Sequence, residues 1–214
     1  MTSPLLFAEQ RPYAVVDLRH VRSTQMATTQ ASSSGGFGRT VAIGAATGAV
    51  AGLFANLLRK AAVQAPTVMA GSWDTALAAE HTATLKIFDL LEKTSEEDSG
   101  RRSFLLMQLK HAIGKHAFQE ENVVYAMMRD QGLSEAADHL NHEHGYVKQY
   151  LFDLTEMAKS DAGWLPKLKE FRGLIEKHMR EEEEDLFPRL RQQLSEAQNK
   201  HITAAMNKEG FKLA

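Results

Sequence analysis

The sequence predicts an all-α protein built as an up-down-up-down four-helix bundle. From Trp73 onward, long segments with the 3.6-residue apolar period follow one another, and no stretch alternates with the two-residue period of a strand. The breaks between these segments are short and polar, which favours antiparallel neighbouring helices. The 214 residues suffice for one such core with appendages.

Four segments supply the helices of the predicted bundle, which spans residues 70–193. Their expected limits are Trp73 to Lys93, Arg102 to Arg129, Ser134 to Ala158, and a fourth helix that starts near Pro166. Pro188 should kink or end the fourth helix, because proline lacks an amide hydrogen and clashes with the preceding turn. Residues 194–214 are expected to form a C-terminal helical tail.

The chain before the bundle divides into two parts. Residues 1–39 contain a Ser/Thr/Gln/Gly-rich run and are expected to form a flexible tail. Residues 40–60 read as a glycine-rich apolar helix in which Gly44, Gly48 and Gly52 form a glycine zipper. This helix packs either in a membrane, for which it is short, or on the bundle or a second copy of the chain. We expect a cytoplasmic protein and keep membrane association as the alternative.

Composition excludes several classes of function. The formal net charge of -2 offers no general attraction to phosphate backbones, so nucleic acid is not an expected partner. The chain has no cysteine, which excludes thiolate zinc sites, cysteine-ligated iron–sulfur clusters and cysteine nucleophiles. Nine histidines are its unusual feature.

Each predicted bundle helix carries one histidine within its apolar stripe. The four residues are His81, His116, His144 and His178. A single buried histidine is usually a satisfied core residue. Four together need a shared partner, because each buried polar group without one costs roughly 2–7 kcal/mol. With a rise of 1.5 Å per residue, the four positions can meet at one level of an antiparallel bundle.

Two glutamates extend this pattern. Glu120 follows His116 by four residues and Glu182 follows His178 by four, so each pair shares a helix face. Four imidazoles and two carboxylates that can bridge suit two adjacent iron or manganese ions, and the lack of thiolates argues against structural zinc. The predicted metal ligands are therefore His81, His116, Glu120, His144, His178 and Glu182.

These residues lie in an ordered set of motifs. The set comprises His81, the stretch His116-Ala-Phe-Gln-Glu120-Glu121 followed by Tyr125, the Glu143-His144 pair, and the stretch His178-Met-Arg-Glu-Glu182-Glu183 followed by Phe187-Pro188. Over roughly residues 73 to 193 it resembles the hemerythrin-like, HHE cation-binding domain. The resemblance implies a four-helix bundle that holds a non-haem, oxo- or hydroxo-bridged di-iron centre and binds oxygen or related small molecules.

The chain departs from the oxygen-carrying members of that family. Those proteins have two histidines four residues apart on the third helix and a His-x-x-x-x-Asp motif on the fourth. Here Leu140 stands four residues before His144, and the acid of the fourth helix is either Glu182 or Glu183. The set is similar to that of hemerythrin-like domains that sense iron and oxygen.

We therefore expect a non-haem di-iron protein that binds or senses dioxygen, peroxide or nitric oxide in a stress-related role. Two alternatives stay open. One is a di-iron oxidase or peroxidase, although ferritin-type enzymes use Glu-x-x-His pairs that these stripes lack. The other is a membrane-associated scaffold assembled through the glycine zipper. His111 and His142 are expected at the surface, and Tyr125 either packs in the core or orients a ligand.

Overall fold

The computed structural model describes residues 55–214, whose regular elements are all helical and include no strand. The predicted flexible tail and the glycines of the predicted zipper, Gly44, Gly48 and Gly52, lie outside the described residues. Within residues 55–214, no helix has the length and apolar character that a membrane crossing requires.

The described residues form eight α-helices and two π-helical turns. They are α1 (55–69), α2 (Trp73–Glu92), α3 (Ser99–Gln119), a first π turn (Glu120–Val124), α4 (Tyr125–Asp130), α5 (Ser134–Glu156), α6 (Trp164–Glu181), a second π turn (Glu182–Leu186), α7 (Phe187–Gln193) and α8 (Glu196–Leu213). Two of the connections turn at Gly71 and Gly132, whose φ angles of 100° and 81° favour glycine.

The bundle predicted from the sequence consists of α2, the α3–α4 unit, α5 and the α6–α7 unit. Each of these packs against two neighbours in a closed ring: α2 on α3, α4 on α5, α5 on α6 and α6 on α2. The three connections within the bundle are short, as antiparallel neighbours require. The predicted starts at Trp73 and Ser134 coincide with the observed ones, and the other predicted limits differ from the observed ones by one to three residues.

The apolar core of the bundle is divided into two clusters. Their largest members are Trp73, Tyr125 and Phe187 in the first cluster, and Phe88, Trp164 and Phe171 in the second. On α2, Leu77 belongs to the first cluster and Phe88 to the second, with the buried His81 between them. The histidines of the other three helices interrupt the apolar stripes in the same way, so a polar layer crosses the core.

The two π turns change which side chains face the core. A π turn contains one residue more than an α-helical turn, so the apolar stripe shifts by one position beyond it. Met128 is consequently fully buried where the regular period would have buried Met127, and Tyr125 also points inward. The second π turn immediately precedes Pro188, which lies in the first turn of α7. The wider turn accommodates the proline ring, and α7 continues beyond it.

The C-terminal tail forms one helix, α8. Helix α8 begins with a capping box between Ser195 and Gln198 and extends to Leu213. It packs on α2, α3 and the first π turn. Helix α1 lies beside α8, where Gln64 Nε2 donates a hydrogen bond to Asn207 Oδ1 at 3.2 Å.

We expect Gly210→Ala to lower the free energy of unfolding by about 1–2 kcal/mol, because overpacking outweighs the gain in helix propensity. A Cβ at Gly210 would lie 2.7 Å from Gln64 Oε1 and 2.8 Å from Gln119 Nε2. The control is Gly173→Ala on α6, where a Cβ meets no atom within 4 Å and a small stabilisation is expected. Denaturant unfolding of both variants checks this, and equal stabilisation of the two would contradict close packing of α8.

Candidate metal centre

The structure brings all six predicted ligands together in the polar layer. His81 comes from α2, His116 and Glu120 from the end of α3 and the first π turn, His144 from α5, and His178 and Glu182 from the end of α6 and the second π turn. The glutamates are fully buried and the histidines are at most 7% exposed. Whether these side chains ligate a metal stays a prediction.

Two histidines and both glutamates form the first group of inward-facing atoms. His81 Nε2 and His116 Nε2 are 2.8 Å apart. Glu120 Oε1 lies 3.0 Å from His116 Nε2, and Glu182 Oε2 lies 3.4 Å from His81 Nε2. Every residue of this group offers a ligand atom within 4.8 Å of the others.

The remaining histidines form a second group around the same glutamates. His144 Nε2 and His178 Nε2 are 3.3 Å apart. Glu120 Oε2 lies 3.5 Å from His144 Nε2, and Glu182 Oε2 lies 3.4 Å from His178 Nε2. Glu120 thus directs one oxygen toward each histidine pair, and Glu182 Oε2 is equally far from His81 and His178. Glu120 is the residue that both groups of possible ligand atoms have in common.

A carboxylate stands on the opposite side of every imidazole. The four contacts are His81 Nδ1 to Glu183 Oε1 at 2.6 Å, His116 Nδ1 to Glu80 Oε2 at 3.1 Å, His144 Nδ1 to Glu121 Oε1 at 2.9 Å, and His178 Nδ1 to Glu143 Oε2 at 2.8 Å. A carboxylate can only accept, so each Nδ1 carries a hydrogen and each Nε2 is free to present a lone pair inward. Metal-binding histidines are typically held in this way.

Sequence reasoning did not identify these four outer carboxylates as a set. Each of them is the immediate neighbour in sequence of an inner residue, in the pairs Glu80-His81, Glu120-Glu121, Glu143-His144 and Glu182-Glu183. That adjacency is the signal that could have revealed them. The structure also distinguishes the two acids considered for the fourth helix. Glu182 faces the centre, and Glu183 contacts His81 from outside.

The centre has an approximate two-fold repeat. Helices α2 and α3 with the first π turn supply Glu80, His81, His116, Glu120 and Glu121. Helices α5 and α6 with the second π turn supply the matching residues Glu143, His144, His178, Glu182 and Glu183. The outer contacts follow the same symmetry. Within each half, Glu80 holds His116 as Glu143 holds His178. Between the halves, Glu183 holds His81 as Glu121 holds His144. The same device, a histidine followed four residues later by a glutamate that opens a π turn, is therefore used twice.

Tyr125 breaks this symmetry. Its hydroxyl donates to Glu182 Oε1 at 2.8 Å and lies 3.2 Å from His144 Nε2. The matching residue of the other half is Phe187, whose ring stacks at 6.4 Å from the ring of His81. Tyr125 therefore orients Glu182, one of the two roles that the sequence left open for it, and leaves Glu182 Oε2 to face the histidines.

The other candidate histidines lie outside the centre. His111 and His142 are exposed, as expected. His139 is 47% exposed and stands 3.6 Å from Glu143 Oε1 and 3.5 Å from Glu181 Oε2. Helix α5 is regular, and within it His139 faces away from the centre.

The charges around the imidazoles favour a positive charge at their nitrogen atoms. Burial lowers the pKa of His144, but its hydrogen bonds to Glu120 and Glu121 outweigh that effect and raise the pKa to about 9. The hydrogen bond from His178, helped by Lys177, lowers the pKa of Glu143 to about 2 despite burial. Protons and metal ions therefore compete for the same nitrogen atoms.

Two buried oxygen atoms test whether a cation fits this centre. Glu120 Oε1 and Glu182 Oε2 have no hydrogen-bond partner. Glu120 Oε1 is only 3.0 Å from His116 Nε2, but the two atoms are not aligned as donor and acceptor. Buried carboxylate oxygens without donors are strongly unfavourable, and both face imidazole nitrogens. The donor set of nitrogen and carboxylate oxygen fits iron or manganese.

Comparison with known proteins agrees with this geometry. The model of the family described as Hemerythrin HHE cation binding domain matches residues 74–190. An uncharacterised hemerythrin-like protein of Schizosaccharomyces pombe is 30% identical over 100 residues, which cover 45% of this chain and 49% of that protein. The chain thus matches about half the length of this relative. No solved structure matches the chain.

We expect Glu143→Gln to weaken metal binding by about 10–100-fold, because the carboxylate that holds His178 Nδ1 is lost. Glu184→Gln is the control, since Glu184 is an exposed neighbour of the centre on the second π turn. Chelator competition measures both affinities. An unchanged affinity in Glu143→Gln would show that the outer carboxylate does not support the ligand.

Tyr125→Phe should lower the free energy of unfolding of the full chain by about 1–3 kcal/mol, because it removes the donor to the buried Glu182 Oε1. Tyr146→Phe, at a residue 52% exposed, provides the matched control. Denaturant titration compares the two. Equal stabilities would mean that Glu182 does not depend on the tyrosine hydroxyl.

Proposed function

The chain belongs to the hemerythrin HHE cation-binding family, and we propose that its buried centre holds two non-haem iron ions that meet a small ligand such as dioxygen, peroxide or nitric oxide. Manganese is the alternative metal. The oxo or hydroxo bridge that the family resemblance implies belongs to the same proposal. The protein would act as a sensor or a scavenger of that ligand.

One observation carries the metal proposal: four imidazole nitrogens and two partnerless carboxylate oxygens face one another in the core. The outer glutamates fix a hydrogen on each Nδ1, so His81 Nε2 and His116 Nε2 present two lone pairs across 2.8 Å. Two lone pairs at that distance repel each other unless a cation or a proton stands between them. Two cations would satisfy all six groups together.

Charge supports the same conclusion. Six carboxylates surround the imidazoles, and they are Glu80, Glu120, Glu121, Glu143, Glu182 and Glu183. The described lysines that pair with them are Lys115, Lys148 and Lys177. The surplus of negative charge favours divalent or trivalent cations at the nitrogen atoms. A cation bound by nitrogen and oxygen donors alone suits iron or manganese better than copper(I).

A small void supports the proposal of a small ligand. A cavity of about 20 Å³ lies in the core and is lined by all four histidines. This volume is close to that needed for one water-sized molecule. Iron at the adjacent nitrogens would supply coordination positions that exchange ligands, and the cavity limits these ligands to a few atoms. The side chains around it would exclude bulk water from the reacting face.

Elemental analysis with an ultraviolet–visible spectrum of the full chain, purified in air, tests this proposal. We expect about two irons per chain and charge-transfer bands that change when peroxide or nitric oxide meets the reduced protein. A chain purified without iron or manganese, and unable to take up either, would contradict the proposal. A metal-loaded chain whose spectrum ignores both ligands would contradict the ligand proposal alone.

His116→Ala and His178→Ala should each reduce the metal content, since each removes a nitrogen from a different histidine pair. Loss of one bound ion out of two is the expected minimum, because each pair belongs to one cation position. His111→Ala, at an exposed histidine of α3, is the control and should keep the full content. Unchanged metal in both ligand variants would refute the assignment.

A further inference from the structure

The small void beside the histidines follows the approximate two-fold repeat of the centre. Besides the four histidines it is lined by three pairs of matching residues, which are Thr84 with Val147, Ile113 with Ile175, and Ala117 with Met179. In each pair the first residue comes from α2 or α3, and the second comes from α5 or α6. Because the helices repeat with approximate two-fold symmetry, each residue on one side of the void can be compared with its matching residue on the other side.

The two sides differ in the size of their side chains. On the α2–α3 side the void ends at Thr84 and Ala117, whereas Val147 and Met179 close it on the α5–α6 side. Met179 is the largest of these four side chains and fills space that Ala117 leaves free. The thinner wall of the void is therefore the α2–α3 side.

A second cavity lies on the outer side of that thinner wall. This vestibule has a volume of about 200 Å³ and is open to solvent. Its lining includes Val63 and Pro66 of α1, Ala79 and Ala83 of α2, and Ala112 of α3, and it ends at Thr84. Thr84 is 2% exposed and lines both the vestibule and the inner void. Thr84 is thus the residue that the linings of the two spaces have in common.

The vestibule presents little net charge to an entering molecule. Its two charged residues with opposite signs, Glu80 and Lys115, form an ion pair at 2.6 Å. A rival cavity of about 330 Å³ shares His81 and Met179 with the void. Its charged lining residues are Arg180 and the three carboxylates Glu176, Glu183 and Glu184, so negative charge is in excess. Carboxylates hold water and repel anions, whereas the apolar vestibule favours small uncharged molecules.

We propose that the vestibule between α1, α2 and α3 is the entrance through which a small uncharged molecule reaches the histidines, and that Thr84 is the gate between vestibule and void. This inference rests on the proposed function, since it names the path and the charge class of its ligand. Thr84 contacts both spaces from α2, three residues after His81, so a rotation of its side chain suffices to join them.

Association of nitric oxide with the reduced full chain, followed by stopped flow, tests the gate. Thr84→Ile should slow association about tenfold, equivalent to about 1.4 kcal/mol at 25 °C. Thr84→Ala should give a rate above that of the unaltered chain, because it removes most of the side chain that forms the gate. The matched control is Thr82→Ile, the same substitution at an exposed residue of α2 that lines neither the vestibule nor the void, and it should leave the rate near the original.

Two outcomes would overturn the proposal. Equal slowing by Thr84→Ile and Thr82→Ile would mean that the molecule enters through the acidic cavity, which Thr82 lines. Acceleration by Met179→Ala together with unchanged rates in both Thr84 variants would assign entry to the acidic cavity. The Thr84→Ala variant keeps the test decisive if Thr84→Ile fails to fold.

Xenon binding in pressurised crystals of the full chain as purified tests the entrance separately from the proposed function, because xenon needs no metal in order to bind. We expect xenon in the vestibule and in the void of the unaltered chain, and in the vestibule alone after Thr84→Ile. Xenon absent from the vestibule of an iron-loaded chain would refute the entrance and leave the metal proposal standing. An iron-free chain with xenon in both spaces would refute the metal proposal alone.

Discussion

The structure depends on one electrostatic constraint, the burial of two carboxylates among four imidazole nitrogens in the middle of an apolar bundle. Glu120 and Glu182 are fully buried, and one oxygen of each has no hydrogen-bond donor. Their desolvation is repaid only by positive charge placed between the helices. Since all four bundle helices contribute to the layer, any cation bound there would also join the four helices together.

The outer carboxylates and the π turns make this layer possible. Each outer glutamate fixes the tautomer and the orientation of an imidazole, so no histidine has to find its geometry alone. In each half, a π turn opens at the inner glutamate, and the residue five positions later, Tyr125 or Phe187, also faces the core. A regular α-helix would turn that residue away from the core, because five residues exceed one helical turn by about 140°.

The sequence periodicity predicts the bundle helices and their inner histidines, but it does not predict the π turns or the outer carboxylate contacts. The 3.6-residue period locates the bundle helices and aligns His81, His116, His144 and His178 in one layer. The same period fails after Glu120, where the π turn moves Met128 into the core, because a π turn leaves no trace in residue spacing. The outer contacts also escape prediction, since Glu80 reaches His116 on another helix, and helix rotation fixes that contact. The role of Thr84 appears only when α1 covers the α2–α3 groove.

The two-fold repeat of the helices explains why differences at a few matching positions can give the two halves different chemistry. Where matching residues are identical, as with the histidines and inner glutamates, the two halves present similar groups of possible ligand atoms. Where they differ, the halves become distinguishable: Tyr125 offers a hydroxyl where Phe187 offers a ring, and Lys115 is buried under α1 where Lys177 is 68% exposed. A buried ammonium is screened less than an exposed one. Lys115 therefore attracts Glu80 away from His116 more strongly than Lys177 attracts Glu143 away from His178. The longer Glu80–His116 contact, 3.1 Å against 2.8 Å, agrees with that difference.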